Sequence, residues 1–430
     1  MIENLSVSKK LDSDLARTQA KNLSKKEGRD GYKKTKLGWI PEEWEIKKIG
    51  EAGKILSGLT YSPNDISSNG ILVLRSSNVQ DRQIKFEDNV CVNVAKDSFI
   101  PVEENDILIC VRNGSKSLIG KNALIPKEAE GMAFGAFMSI LRSKHNNYFY
   151  QLFDTDFYNR EIQKNLGATI NSINGSNLKK FTFPFPPEDE RKAIATCLST
   201  WDTAIATLTQ LIGKKQHAKK GLLQQLLSGK KRLPGFEGEW ELKKIVQFAK
   251  QYSELNSEDE EITVLSCTKY DGLVPSLEYF GRKIYSEKLH TYKIVPKGCF
   301  AYATNHIEEG SIGYQYSLEK GLVSPMYTVF KTDKSINNEY LFRVLKSYPL
   351  IHEYNKRTEG SIDRRGGLRW PGFSQIKIML PSLQEQTAIA QVLQTADDEI
   401  TLLKKKLERL KEQKKGLMQV LLTGRKRLEY

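Results

Sequence analysis

Cysteine is scarce in this chain. Cys91, Cys110, Cys197, Cys267 and Cys299 are odd in number and widely scattered. No C-x-x-C occurs, which argues against a disulfide framework and against a zinc cluster. Long apolar runs are also missing, and none approaches the roughly 20 residues that span a bilayer. The opening residues MIENLSVSKKLDSD lack an apolar signal core. The expectation is a cytoplasmic protein with no membrane contact.

Catalytic signatures are absent as well. NGSKSLIGKN (113–122) has a phosphate-loop look, but Gly114 and Gly120 are one residue too far apart and Asn122 replaces Ser or Thr. FPFPPEDE carries a Pro-Pro pair without the Asn/Asp-Pro-Pro-Tyr/Phe of an amino-methyltransferase. Nuclease-like E-x-K occurs at Glu45/Lys47 and Glu241/Lys243, but no Pro-Asp precedes either. His145, His217, His290, His306 and His352 stand apart from one another. The sequence therefore predicts no catalytic residue and no metal site.

What is abundant is positive charge. Lys and Arg exceed Asp and Glu by 66 to 52, a net +14 over 430 residues. That excess points to a polyanionic partner. The length allows two or three domains with cores of their own.

The chain also repeats itself. Shifted by 195, residues 186–233 lie on 381–428 without a gap, and about 20 of the 48 positions are identical. They include Pro186/Pro381, Glu190/Glu385, Asp202/Asp397 and most of KKGLLQQLLSGKKRL against KKGLMQVLLTGRKRL. A shorter echo, EWEIKKI (43–49) and EWELKKI (239–245), precedes each half. The intervening blocks, about 50–180 and 246–375, do not visibly resemble each other.

Heptad spacing predicts that both repeated segments are long helices. The first seam runs through Ile194, Leu198, Trp201, Ile205, Leu208 and Ile212; Lys215 and Lys219 interrupt it before Leu222 and Leu226. The second runs through Ile389, Leu393, Ala396, Ile400, Leu403, Leu407 and Leu410, then Lys414, Leu417 and Leu421. Prolines and acidic residues suit their starts, while Gly229 and Gly424 suit their ends. Helices of about 40 residues, roughly 60 Å, most simply pair with each other as an antiparallel coiled coil.

The blocks alternate short β-type runs with turns, then offer a helix and a polar glycine loop, so the fold class is α+β. Candidate DNA-binding residues cluster in their turns: Arg75, Ser76, Ser77 and Asn78; Arg112, Asn113, Ser115 and Lys116; Thr268 and Lys269; Asn305 and His306; Arg364, Arg365 and Arg369. Arg suits guanine, Asn suits adenine and Lys suits phosphates. Solvated turn chemistry accounts for any one of them alone.

The paired PPEDERKAIATCL/PSLQEQTAIAQVL starts and KKGLLQQLLSG/KKGLMQVLLTG ends, in this order, resemble the specificity subunit of type I restriction–modification enzymes. So do the phrases ENDILICVRNGSKSLIGKNALI and YKIVPKGCFAYATN. The resemblance covers roughly 37–428 and is more specific in the helices than in the blocks. It implies target recognition domains at 37–185 and 233–380, each reading half of a split double-stranded DNA site. It implies spacing helices at 186–232 and 381–430, with a pseudo-two-fold internal repeat. Two modification (methyltransferase) subunits would dock on the helices, with two restriction subunits as optional members. The chain would hold no cofactor: S-adenosylmethionine belongs to the modification subunits, ATP and magnesium to the restriction subunits. The basic segment 1–36, with a helical pattern around Leu11–Leu23, has no role assigned by the resemblance. A coiled-coil scaffold joining proteins without DNA readout is the alternative; a steep salt dependence of DNA binding separates the two.

Overall fold

The computed structural model describes residues 30–166, 171–258, 260–359 and 367–428. The Leu11–Leu23 pattern lies outside them. The chain divides into two compact units: residues up to Leu208 together with those from Lys406, and Thr209–Lys405. The division cuts through both long helices, α1 (Glu188–Leu227) and α2 (Leu383–Leu421). Each unit therefore contains the start of one helix and the end of the other.

In the first unit a four-stranded antiparallel sheet is built from β1 (Lys54–Ser57), β2 (Ile107–Cys110), β3 (Asn122–Leu124) and β4 (Met138–Arg142). Its order is β3-β2-β4-β1. β2 reads ILIC and is buried at every position, as a short apolar run in a central strand should be. In the second unit the strands are β5 (Ala249–Tyr252), β6 (Phe300–Ala303), β7 (Ile312–Tyr314) and β8 (Tyr327–Thr332). Their order, read from the far edge, is β7-β6-β8-β5, again antiparallel throughout. The two blocks share this topology although their sequences do not align. They differ outside it. The first unit adds a three-stranded sheet through Ile66–Leu74, and the second adds the pairs Leu265–Thr268 with Gly272–Pro275 and Lys293–Pro296 with Lys320–Val323.

The repeated EWE segments form the strands Glu45–Lys48 and Glu241–Lys244. They pair antiparallel with Thr182–Phe185 and Lys377–Leu380, the strands just before the long helices. This tethers each helix start. In the first unit Ile194 and Leu198 of α1 share a core with Met418 and Leu421 of α2, Trp44, Tyr148 and Phe183. In the second, Ile389 and Leu393 share a core with Leu226, Ile245, Tyr340 and Phe373.

Within each unit the helix segments run antiparallel, and charge pairs between them mark the register. Glu190 pairs with Arg427 at 2.5 Å, and Asp202 with Lys414 at 2.6 Å. The other unit repeats this: Glu385 pairs with Arg232 at 2.6 Å, and Asp397 pairs with Lys219. Lys215, the other seam interruption, pairs with Glu399 at 2.7 Å. The lysines that break the apolar pattern are thus ionic members of the seam. Leu208, Ile400 and Leu407 are buried, while Trp201, Ile205, Leu403 and Leu410 are half-buried.

Both helices end the same way. Gly229 and Gly424 have φ of +69°, the left-handed region that glycine enters without steric cost. A Cβ at Gly424 would come within 2.4 Å of Pro41, so the position also serves close packing. Among the described residues no helix is long and apolar enough to cross a membrane.

Candidate nucleic-acid interface

The polar candidates of the first unit gather at one end of β2. The strand emerges into Arg112–Lys116. There the Asn113 side chain donates to the Ser76 hydroxyl at 3.1 Å, joining that loop to the Arg75–Asn78 turn. Lys121 donates to the Ser76 carbonyl at 3.3 Å. The closing loop arrives on the other side: Arg112 bridges Ser172, and Asn171 donates to the Gly114 carbonyl at 2.9 Å. Arg112, Ser115 and Lys116 remain exposed. The Arg112 guanidinium lies 5.5 Å from the centre of the Phe137 ring.

Not every candidate is free to read. Asn78 is fully buried. Its amide nitrogen donates to the Lys85 and Glu87 carbonyls, and its oxygen accepts the Arg75 amide at 2.9 Å. The base-reading expectation for Asn78 is therefore corrected: it staples the turn, because a side chain already satisfied in the interior has no donor or acceptor to offer a base. Arg75 is half-buried and donates to the carbonyl and carboxylate of Asp88 at 2.6 and 3.0 Å. Ser77 is also half-buried, and its hydroxyl oxygen is shielded without a protein partner.

The second unit repeats the arrangement with different residues. β6 emerges into Thr304, Asn305 and His306, and the latter two are exposed. The closing loop returns beside them, with the Leu368 amide donating to the Thr304 carbonyl at 2.9 Å. Gly367 has φ of +57°, and a Cβ there would come within 2.3 Å of the same carbonyl, so only glycine permits this approach. Arg369 follows, exposed. Arg364 and Arg365 lie outside the described residues.

Thr268 and Lys269 sit at a hairpin end. The Thr268 hydroxyl accepts the Asp271 amide at 2.9 Å, and Lys269 covers Tyr270, which is 79% exposed. Beneath them Lys346 donates to the Thr268 carbonyl at 3.2 Å, and burial holds its ammonium below the usual lysine range. The thiols near both loops are poor nucleophiles. Burial pushes Cys110 up, and pushes Cys267 up to about 12.

Among the described residues, one group of side chains has metal-ligand geometry. His306, Glu308 and Glu309 hold their ligand atoms within 4.8 Å of one another, with His306 and Glu309 exposed. Exposed acidic groups commonly gather this way without an ion. The E-x-K pairs are surface ion pairs on the approach strands, Glu45–Lys47 at 2.9 Å and Glu241–Lys243 at 2.7 Å.

The sequence reading passed over Phe137, Asn171 and Met326. The two apolar residues lie in short β-type runs, FGAFMSILRS and LVSPMYTVFK, and only their exposure distinguishes them. Asn171 lies in GATINSINGSN, where Asn and Ser repeat without a local signal to single one out.

Comparison with known proteins follows the same two halves. The family model described as the type I restriction modification DNA specificity domain matches residues 41–215 and again 239–412. The Methanocaldococcus jannaschii protein assigned as the MjaX type I restriction enzyme specificity subunit is 26% identical over 93% of this chain and 97% of its own. The EcoKI specificity subunit of Escherichia coli is 27% identical over 51% of this chain and 50% of its own. The crystal structure of the S subunit of a type I restriction–modification system from M. genitalium superposes with a TM-score of 0.53. It covers 88% of this chain and 96% of that one at 17% identity, a likeness of fold. With both halves matched, the chain belongs to the type I restriction–modification DNA specificity family.

Proposed function

We propose that this chain is the sequence-reading subunit of a type I restriction–modification complex. Each unit reads one half of a bipartite double-stranded DNA site. α1 and α2 form an antiparallel coiled coil that fixes the number of unread base pairs between the halves. Their repeated surfaces dock two modification subunits. The chain catalyses nothing itself: S-adenosylmethionine acts in the modification subunits, and ATP with magnesium in restriction subunits.

One observation carries this reading. Glu190–Arg427 and Glu385–Arg232 are the same pair with the repeat copies exchanged. Asp202–Lys414 and Asp397–Lys219 are a second such exchange. Each copy supplies the partner the other needs, which is the signature of a two-fold relation written into one chain. A pseudo-two-fold scaffold suits a duplex whose half-sites lie about one helical turn apart, roughly 34 Å. A stiff strut of about 60 Å is long enough to hold that spacing.

The test is methylome sequencing of cells carrying the chain and its modification partner. Replacing residues 50–180 with the block of a relative should change one half of the methylated site and leave the other. Inserting one heptad within 194–226 should lengthen the spacer alone. An unaltered site in the first experiment, or an unaltered spacer in the second, defeats the corresponding part of the proposal.

A further inference from the structure

Two short turns occupy the same place in the two units. Gly135–Met138 is closed by the Met138 amide donating to the Gly135 carbonyl at 2.8 Å, and Ser324–Tyr327 by the Tyr327 amide donating to Ser324 at 2.9 Å. The first leads into β4 and the second into β8, the strands that pair with β2 and β6. The third residue of each turn is large, apolar and exposed: Phe137 at 57% and Met326 at 58%.

Their backbones are fixed to the ends of β2 and β6. The Phe137 carbonyl accepts the Val111 and Arg112 amides at 3.0 and 3.1 Å. The Met326 carbonyl accepts the Thr304 hydroxyl at 2.9 Å. Each side chain therefore stands beside the loop that carries polar candidates, Arg112 and Asn113 in one unit, Asn305 and His306 in the other.

A single exposed apolar residue needs no explanation. Here the same topological position is apolar and exposed twice, in blocks whose sequences do not align. Neither side chain contributes to the core clusters of its unit. Base edges present one apolar feature in the major groove, the thymine C5-methyl, beside the donors and acceptors that Arg and Asn recognise.

We infer that Phe137 and Met326 are the apolar base contacts of the two half-sites, each set against a thymine methyl; this rests on the DNA-reading function proposed above. The experiment uses the full chain bound to its modification partner. Duplexes are selected from a randomised library, and affinities are then measured for the selected sequence and for an unrelated duplex. Phe137→Ala should weaken the selected duplex about tenfold and relax one position in one half-site. Met326→Ala should do the same in the other half-site. Deoxyuridine in place of thymine at that position should weaken the parent chain and cost the variant nothing further. Phe137→Leu should retain most of the preference.

Three results would overturn the inference: variants that bind as the parent does, equal weakening for the selected and unrelated duplexes, or a parent indifferent to every thymine-to-deoxyuridine change. Phe137 acting as a wedge between base pairs would give the last of these together with a bent duplex. A parent complex that selects no sequence at all would instead remove the DNA-reading function itself, and is distinguishable for that reason.

Discussion

The two units solve the same structural problem with unequal parts. At the helix start of the first, buried Glu190 accepts from Arg427 and from the Trp44 indole, the latter at 2.8 Å. In the second, buried Glu385 accepts from Arg232 alone among the described side chains, and the indole nitrogen of Trp240 is shielded without a partner. Just over three turns further along, the balance reverses. Asp202 accepts from Lys414 and from neutral Gln151, whereas Asp397 accepts from Lys219 and from cationic Arg343. The difference teaches that the repeat preserves the position of each paired carboxylate, buried at Glu190 and Glu385 and half-buried at Asp202 and Asp397, while its second partner varies. A buried carboxylate is expensive to leave unpaired, but more than one neighbour can supply the second bond.

The largest effect should come from the helix-start arginines. Arg427→Ala leaves Glu190 buried with only Trp44 and should cost about 2 kcal/mol, less than a fully buried pair because Arg427 is partly exposed. Arg232→Ala strips Glu385 of its described side-chain partner and should lower the melting temperature further. Calorimetry that found the two variants equal would break the comparison. Trp44→Phe should then cost about 1–2 kcal/mol, the worth of a hydrogen bond to a charged group. Trp240→Phe should be close to neutral in the same urea titration. A smaller effect is expected at the second carboxylate. Arg343→Met should destabilise by about 1 kcal/mol, and Gln151→Leu by less, since Asp202 keeps Lys414; equal losses would show that the charge of Arg343 adds nothing over a neutral donor.

A pH dependence is expected at His145, in the first unit. His145 meets Phe185 edge-on at 5.3 Å, and burial beside Arg191 and Lys144, opposed by Glu188, lowers its pKa to about 4. The unfolded chain therefore takes up the proton first, near pH 6.5, and stability falls as pH drops from about 6.5 toward 4. His145→Gln should flatten that slope. Identical slopes for the parent and the variant, followed by fluorescence-detected unfolding, would remove His145 as its source.

Much of this was legible in the residues. Heptad spacing and the 195-residue offset locate both helices, since a repeat of 3.5 residues survives without reference to anything distant. Gly229 and Gly424 mark the helix ends for an equally local reason. Lys215, Lys219 and Lys414 look like faults in the seam because their partners are up to 212 residues away. The common sheet order was not legible either. β2 is ILIC and β6 is FAYA, and both are wholly buried; burial constrains apolar character and leaves identity free. Asn78 reads as a recognition residue and proves to be interior, whereas Phe137 and Met326, which no sequence signal singles out, prove to be exposed.

By itself, then, the sequence determined the repeat, the helices, their ends and the polar turns, all of which depend on neighbours a few positions apart. The tertiary structure alone decided which turn residues face outward, which charges pair across the repeat, and that two unlike blocks share one topology. Those depend on contacts between segments far apart in the chain, and no local pattern encodes where such segments meet.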